Sequence, residues 1–444
     1  YVWRYSTDLT YRRGEALTTP SQGWVQPPGT PAVGLAFLEA YQATDDRYYL
    51  DAAADAAHAL AATQLQSGGW FYGIEFDPQA RKAWCYRVPP GGCTDGELTP
   101  QAKENRHRDA TTIDDNVSQS ALELLMKVDA LLRGEAPDIR AAVAYGLEKF
   151  MDAQYPNGAW PQRFDWKVPD RLTHSAWRAR YPARWPREFH EIEVREFYAL
   201  NDNVVRDIIR MFVLAHRIYG EEEYLASAMR AGDFLLSAQM PGPQPAWAQL
   251  YNSDMEPIWG RKFEPPAIAS RESGGAIQAL LELYLYTGKR RYLESLPAAV
   301  GWLEASRLSE DEWARFYELR TNRPLYMTKD YHLTYAGDET PRHYGFEGSF
   351  ELPEALRLFH EVADQGRDAY LAASAPPAGE PAPGKAIADL ASSVEQIVAD
   401  LDQEGRWVEK DRINSATFIE NVDVLARYLA AVRGRPAPSQ PWLP

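Results

Sequence analysis

The sequence predicts an all-α fold, an (α/α) toroid of repeated helical hairpins with long irregular loops forming a groove at one end. Three observations predict it. The chain repeats itself at intervals of about 90 residues, each copy carries apolar residues at i, i+3, i+4 and i+7 spacing, and the turns of all copies share one composition. Each copy is an Ala- and Leu-rich helix ending in Gln, then a turn, then Trp. YYLDAAADAAHALAATQLQSGGW ends at Trp70, IRAAVAYGLEKFMDAQYPNGAW at Trp160 and EYLASAMRAGDFLLSAQMPGPQPAW at Trp247, with a weaker echo, DLASSVEQIVADLDQEGRW, at Trp407. A second helix precedes each next copy: PAVGLAFLEAYQAT, SALELLMKVDALL, NVVRDIIRMFVLAHRIYG and GAIQALLELYLYTG.

Helix pairs at a fixed interval stack as hairpins, each burying its apolar face on its neighbours. The turns carry Gly, Trp, Gln and Pro and fall at the same end of their helices, which favours a closed ring over an open solenoid. Residues 1–444 read as a single toroid domain, with loop-rich insertions at about 66–110 and 155–200. Loops of that length in a compact domain are more often functional than not. The Pro/Ala/Gly-rich segment 374–385 reads as a surface loop.

Composition narrows the function. The chain has 14 Trp and 25 Tyr; these serve as packing anchors in helical stripes and are also suited to the flat C–H faces of sugar rings. A net charge of −16 argues against nucleic acid or an anionic membrane as partner. No apolar stretch reaches the roughly 18 residues that span a bilayer. Tyr1 is not an initiator Met, so the sequence reads as a processed product. Cys85 and Cys93 are the two cysteines, set across a Pro-Pro-Gly-Gly turn. Their spacing suits a small disulfide loop and a secreted or periplasmic location, and fits neither a zinc site nor a redox motif.

Two acidic clusters stand just before apolar-periodic helices: Asp114, Asp115 and Asn116 in TTIDDNVSQS, and Asn201, Asp202 and Asn203 in ALNDNVVRD. One Asp or Asn suffices to cap a helix. Three in a row, twice, suggest a hard-oxygen ligand set suited to calcium. The irregular segment from Arg163 to Arg187 holds Arg163, Lys167, Arg171, Arg178, Arg180, Arg184 and Arg187 against Asp165 and Asp170, a local reversal of charge that reads as an anion-facing loop or a solvated arm. Further bases are interleaved with aromatics: Arg261, Lys262 and Arg271 in WGRKFEPPAIASRESGG, and Arg315, Arg320, Arg323 and Lys329 in WARFYELRTNRPLYMTKDY. Arginine is the natural bidentate partner of a carboxylate. No nucleophile elbow, P-loop, GxGxxG or HExxH occurs. Such a set suits β-elimination from a uronic acid, in which a cation clamped on the carboxylate stabilises enolate-like charge as the α-proton leaves.

At these residues the chain resembles the pectate lyases of polysaccharide lyase family 10. The likeness runs in order through TIDDN, GAWPQRF, LNDN, RKFEPPAIASRES and WARFYELRTNRPLY, over roughly residues 100–350. It implies an (α/α) toroid-like fold and calcium-assisted anti β-elimination on polygalacturonate, an acidic polysaccharide; a monomer is expected. It further implies Arg261 as catalytic base, Asp114 and Asp202, assisted by Asp115, around Ca2+, and Arg323 and Lys329 as substrate-binding positions; Asn201, Arg271, Trp160 and Arg163 are further candidates for substrate binding from their place in the same motifs. There are departures. Lys329 stands where arginine is expected, Arg271 where similar enzymes carry a small residue, and the stretch between GAWPQRF and LNDN is longer. Two other readings of the same residues are an α/α-barrel glycoside hydrolase acting on uronides, with Asp115 and Asp202 as acid and base, and a non-catalytic oligouronide-binding protein.

Overall fold

The helices anticipated from the repeat all form. A computed structural model describes residues 1–94, 97–165, 177–190, 197–374 and 383–434. Its longer helices are Thr30–Thr44, Arg47–Ala62, Val117–Leu131, Pro137–Ala153, Val204–Tyr219, Glu222–Ala238, Ser270–Thr287, Leu296–Ala305, Leu352–Gln365, Pro383–Ala399 and Ser415–Val432. The described strands are two to four residues long and tie loops together, so the predicted all-α class is borne out. The helices Leu296–Ala305, Leu352–Gln365 and Ser415–Val432 were not anticipated.

Contacts divide the chain into two compact units. One runs through Tyr1–Asp152 and takes in the C-terminal helices; the other runs from Ala153 to Ser374 apart from Phe164–Lys167. In the first, Thr30–Thr44 packs against Arg47–Ala62, Val117–Leu131 and Ser415–Val432. Asp46 opens Arg47–Ala62 by accepting from the Tyr48 amide at 3.0 Å, a side-chain cap on an otherwise orphaned donor. The helix then buries the small residues Ala53, Ala56 and Ala57, which lets its neighbours approach closely. Strand Arg4–Ser6 lies between Arg12–Arg13 and Arg412–Asn414, both antiparallel, with Arg4 opposite Asn414.

In the second unit, Ser270–Thr287 is buried along most of its length and packs against Val204–Tyr219, Glu222–Ala238 and Leu352–Gln365. Val204–Tyr219 buries Val205, Ile208, Ile209 and Phe212 in one stripe and stops at Gly220, a left-handed cap (φ 76°) whose amide donates to His216. An antiparallel sheet runs in the order Ala267–Ala269, Phe316–Glu318, Pro324–Met327, Leu333–Thr334, with Ala267 opposite Glu318 and Met327 opposite Leu333. Its first strand leads directly into Ser270–Thr287.

The recurring Gln and Trp turn out to be architecture. Gln64 donates its amide to the carbonyls of Gly68 and Ala142, both at 2.8 Å. Gln154 does the same to Gly158 and Ser227 at 3.0 and 3.1 Å, and Gln239 to Pro245 and Ser295 at 2.8 and 3.0 Å. Each thus pins its turn to the following helical segment. The indole N–H of Trp70, Trp247, Trp313 and Trp407 donates to the carbonyls of Leu60, Leu235, Leu303 and Ile397 at 2.8–3.0 Å, satisfying acceptors that a helix end or its neighbouring turn would otherwise leave open. Gly158 (φ 94°) sits so close to Arg230 that a Cβ would fall 2.0 Å from its carbonyl oxygen; no other residue fits there.

Candidate active site

Both acidic clusters are short 3₁₀ turns of the same shape. In the first unit, Asp115 (φ 51°) and Asn116 (φ 56°) are consecutive left-handed residues leading into Val117–Leu131. In the second, Asp202 (φ 50°) and Asn203 (φ 63°) lead into Val204–Tyr219. Asp and Asn tolerate this region better than other residues with a Cβ, which is why the local sequence folds so. Neither Asn116 nor Asn203, at the cap position, makes a capping hydrogen bond with its side chain. Plain helix capping therefore does not account for the clusters.

Their surroundings differ. Asp114 is buried and accepts from the Tyr72 hydroxyl at 3.3 Å, and Asp115 accepts from the Gln26 amide at 2.9 Å. Both of these donors are neutral. Asp202 receives the Arg271 guanidinium at 2.7 Å on Oδ1, and buried Asn201 donates to Oδ2 at 3.3 Å. To a metal, Asp202 therefore offers chiefly Oδ2.

The cations of the second unit gather around buried acids. Arg261 donates to Glu264 through its guanidinium at 2.5 Å and through its amide at 2.8 Å. Glu264 also accepts from Gln249 and from the Tyr344 hydroxyl, each at 2.9 Å. Arg315 lies over the Tyr344 ring at 4.3 Å, with its guanidinium 4.0 Å from buried Glu272. Burial drives the Glu272 carboxyl above its ordinary pKa, only partly opposed by Arg315. Burial alone would lower the Arg271 pKa, but Asp202 and Glu272 overcome it and hold the cation.

Arg261, the expected base, is paired with an acid of its own loop. Burial would lower the Arg261 pKa, yet the hydrogen bond and charge of Glu264 outweigh it and leave the guanidinium above its ordinary value. A guanidinium held in its charged form suits contact with an anion. Its side chain is 57% exposed, so it can meet a ligand. The expected sugar contact at Trp160 is corrected: it is fully buried and stacks on Phe212 at 6.1 Å, so its ring cannot face a sugar.

Arg323 is exposed with its guanidinium 3.5 Å above the Tyr335 ring. Lys329 is exposed on the turn before strand Leu333–Thr334, and Arg163 is half-buried. Of the basic segment, Lys167 and Arg171 lie outside the described residues; Arg180 pairs with Glu256 at 3.0 Å and Arg187 with Glu318 at 2.9 Å. Sequence reasoning missed Glu264, Glu318, Tyr344 and Gln26. Only Glu264 left a signal, its position three residues after Arg261 in RKFE.

Residues 93–174 match the family model described as Pectic acid lyase. This stretch contains the Asp114–Asn116 turn and GAWPQRF. No curated protein matches the chain. Among solved structures, the chain is similar to a mutant family 10 polysaccharide lyase from Cellvibrio cellulosa in complex with trigalaturonic acid (16% identity, TM-score 0.49, covering 76% of this chain and 98% of that one). It is also similar to a glycoside hydrolase family 76 mannosidase from Bacteroides thetaiotaomicron (12%, 0.43, 93% and 88%) and to a D-mannose isomerase (11%, 0.47, 97% and 90%). The expected resemblance to pectate lyases, and with it the enzyme class of polysaccharide lyase, is borne out by the family match over residues 93–174.

Proposed function

We propose that the protein cleaves polygalacturonate or a related uronan by calcium-assisted β-elimination, leaving 4,5-unsaturated products. The observation that carries this reading is that the Pectic acid lyase match includes the Asp114–Asn116 turn, whose cap residue Asn116 makes no side-chain capping hydrogen bond. Its donor set fits calcium: adjacent carboxylates on one tight turn are hard oxygen ligands. Asp114 and Asp115 would hold the ion. Bound there, calcium would neutralise the substrate carboxylate and so acidify the neighbouring C–H.

The remaining work falls to the chain's own side chains. Arg261, aimed by Glu264, receives a substrate carboxylate and stabilises the charge that develops as the α-proton passes to a base from solvent, the C4–O bond breaks and the departing oxygen takes up a proton. Arg271, anchored on Asp202, adds a second fixed cation. Extracellular or periplasmic action is supported by the bonded Cys85–Cys93 pair, and no described helix is long and apolar enough to cross a membrane. The working form is taken to be a monomer.

The test is near-ultraviolet absorbance on mixing the protein with polygalacturonate, with added calcium or with a chelator. A calcium-dependent rise is expected. A hydrolase using Asp115 and Asp202 would instead release reducing ends without that absorbance and would ignore the chelator; this outcome overturns the proposal.

A further inference from the structure

We propose that Arg187, paired with the buried carboxylate of Glu318, and Arg323, beside it over the Tyr335 ring, form a subsite that reads the carboxylate of a uronate unit, and that the inserted segment around Trp185 completes it. The inference rests on the uronan-lyase reading and deepens it.

The segment is fixed to the second unit at successive points. Ala179 donates its amide to Ser237 at 2.7 Å and Arg180 to Met255 at 3.0 Å. The Trp185 indole donates to Pro266 at 2.7 Å, and the Trp259 indole donates back to Pro186 at 2.9 Å. These bonds deliver Arg187 to the end of the second strand of the four-stranded sheet, where it donates to Glu318 at 2.9 Å. Glu318 closes the second strand of that sheet, while Arg323 precedes the third and Tyr335 follows the fourth.

Glu318 is a holder, not a ligand group. Its side chain is 4% exposed, against 60% for Arg187. It also accepts from the hydroxyls of Tyr335, at 2.6 Å, and Thr321. Burial would raise its pKa, but those hydroxyls together with Arg187 and Arg323 keep it below the ordinary value. Two exposed guanidinium groups against one enclosed carboxylate leave net positive charge at the surface.

Each guanidinium is backed by a ring: Arg187 lies over Trp185 at 4.4 Å and Arg323 over Tyr335 at 3.5 Å. The rings restrict the rotamers of both arginines, so less freedom is lost when a planar anion docks. With those ring faces covered, a ligand meets N–H donors rather than aromatic surface. That favours a carboxylate over a neutral sugar.

The experiment compares wild type, Arg187→Ala, Arg187→Lys and Arg323→Ala. It uses steady-state kinetics on polygalacturonate and calorimetric binding of hexagalacturonate and its methyl ester, with circular dichroism confirming the fold of each variant. Arg187→Ala and Arg323→Ala are each expected to raise KM about tenfold with little change in kcat. Arg187→Lys should recover part of that loss. The methyl ester should bind wild type and both alanine variants alike. If wild type turns over polygalacturonate and the alanine variants keep its KM, the subsite is overturned alone. It is also overturned if the variants weaken the acid and the ester equally, since the arginines then act only structurally. If wild type neither converts nor binds these uronides, the uronan-lyase reading fails and the subsite fails with it.

Discussion

Asp115 and Asp202 stand at the same place in two turns of one shape, at φ 51°, ψ 31° in the first unit and φ 50°, ψ 35° in the second. Each is followed by a left-handed Asn and then by a long helix. The shape alone does not mark function, because Phe350 (φ 49°) and Glu351 (φ 61°) repeat the left-handed pair before Leu352–Gln365. There it costs an estimated ~1–2 kcal/mol per residue, since neither is a small polar residue. Among the described residues, the donors beside the two acidic turns differ. Gln26 and Tyr72 give the first neutral hydrogen bonds, whereas Arg271 gives the second a full positive charge. One backbone device thus presents a carboxylate pair in one unit and anchors a guanidinium in the other.

The sharpest way to break this comparison is to neutralise each turn in the same way. Asp115→Asn should lower kcat/KM by about 100- to 1,000-fold and abolish the calcium response. Asp202→Asn should lower it less and retain a calcium optimum, since its main loss is the anchor for Arg271. Calcium titrations of both variants decide it, and equal losses with equal calcium dependence would sink the distinction.

The helices that follow the turns differ in the same sense. Three residues into its helix, the first unit has Ser120 and the second has Asp207. Burial pushes the Asp207 carboxyl from 3.8 up to about 6, with Arg206 and Arg210 offsetting only part of the effect. Its folded pKa is raised, so its stabilising contribution is complete below the unfolded value near 3.8 and is lost as pH rises through about 6. Asp207→Ser, which copies the first unit, should remove a pH-dependent loss of up to about 3 kcal/mol. Denaturant unfolding between these pH values checks it: a wild-type slope that survives in the variant would show that other groups cause it.

A smaller effect is expected from Arg271→Ala. Asp202 would be left nearly enclosed without its cation, at a cost of about 2 kcal/mol once the partial exposure of the pair is allowed for. The freed Oδ1 gives the second turn a further open carboxylate oxygen, so calcium should raise the melting temperature of the variant more than that of wild type. An identical calcium shift in both proteins would mean that the Arg271 contact does not set the charge of this turn.

The hairpins were legible because a 3.6-residue period survives in each copy, and because Gln and Trp recur at fixed places. The purpose of those residues was not legible. Trp160 reads equally well as a sugar platform or as core, and only its full burial against Phe212 decides. The copy ending at Trp313 escaped because Pro297 interrupts its helix pattern and no Gln closes it, although the indole bond to Leu303 is the same as in the others. The acidic turns were found from composition. Their partners were not, since Arg271 lies 69 residues from Asp202 and Gln26 lies 89 from Asp115. Pairings across such separations leave no local pattern.

Glu264 is the exception, three residues from Arg261 and still overlooked, and it yields the prediction with the smallest effect and the clearest sign. Were Arg261 the base, its pairing with Glu264 would be a handicap. Glu264→Gln would then lower the guanidinium pKa, enlarge the neutral fraction at any given pH and speed the reaction. As a cationic clamp, Arg261 needs Glu264 for its aim, and the same substitution should slow kcat/KM by about tenfold without moving the alkaline limb of the pH profile. A faster Glu264→Gln enzyme would restore Arg261 to the role of base; a slower one with an unshifted limb places it beside Arg271 as a group that meets negative charge. The two arginines differ in how they are tethered, Arg261 by a carboxylate on its own loop and Arg271 by the left-handed turn. A loss from Glu264→Gln comparable to that from Asp202→Asn would therefore show that the second unit uses its acids for one task, holding cations in place.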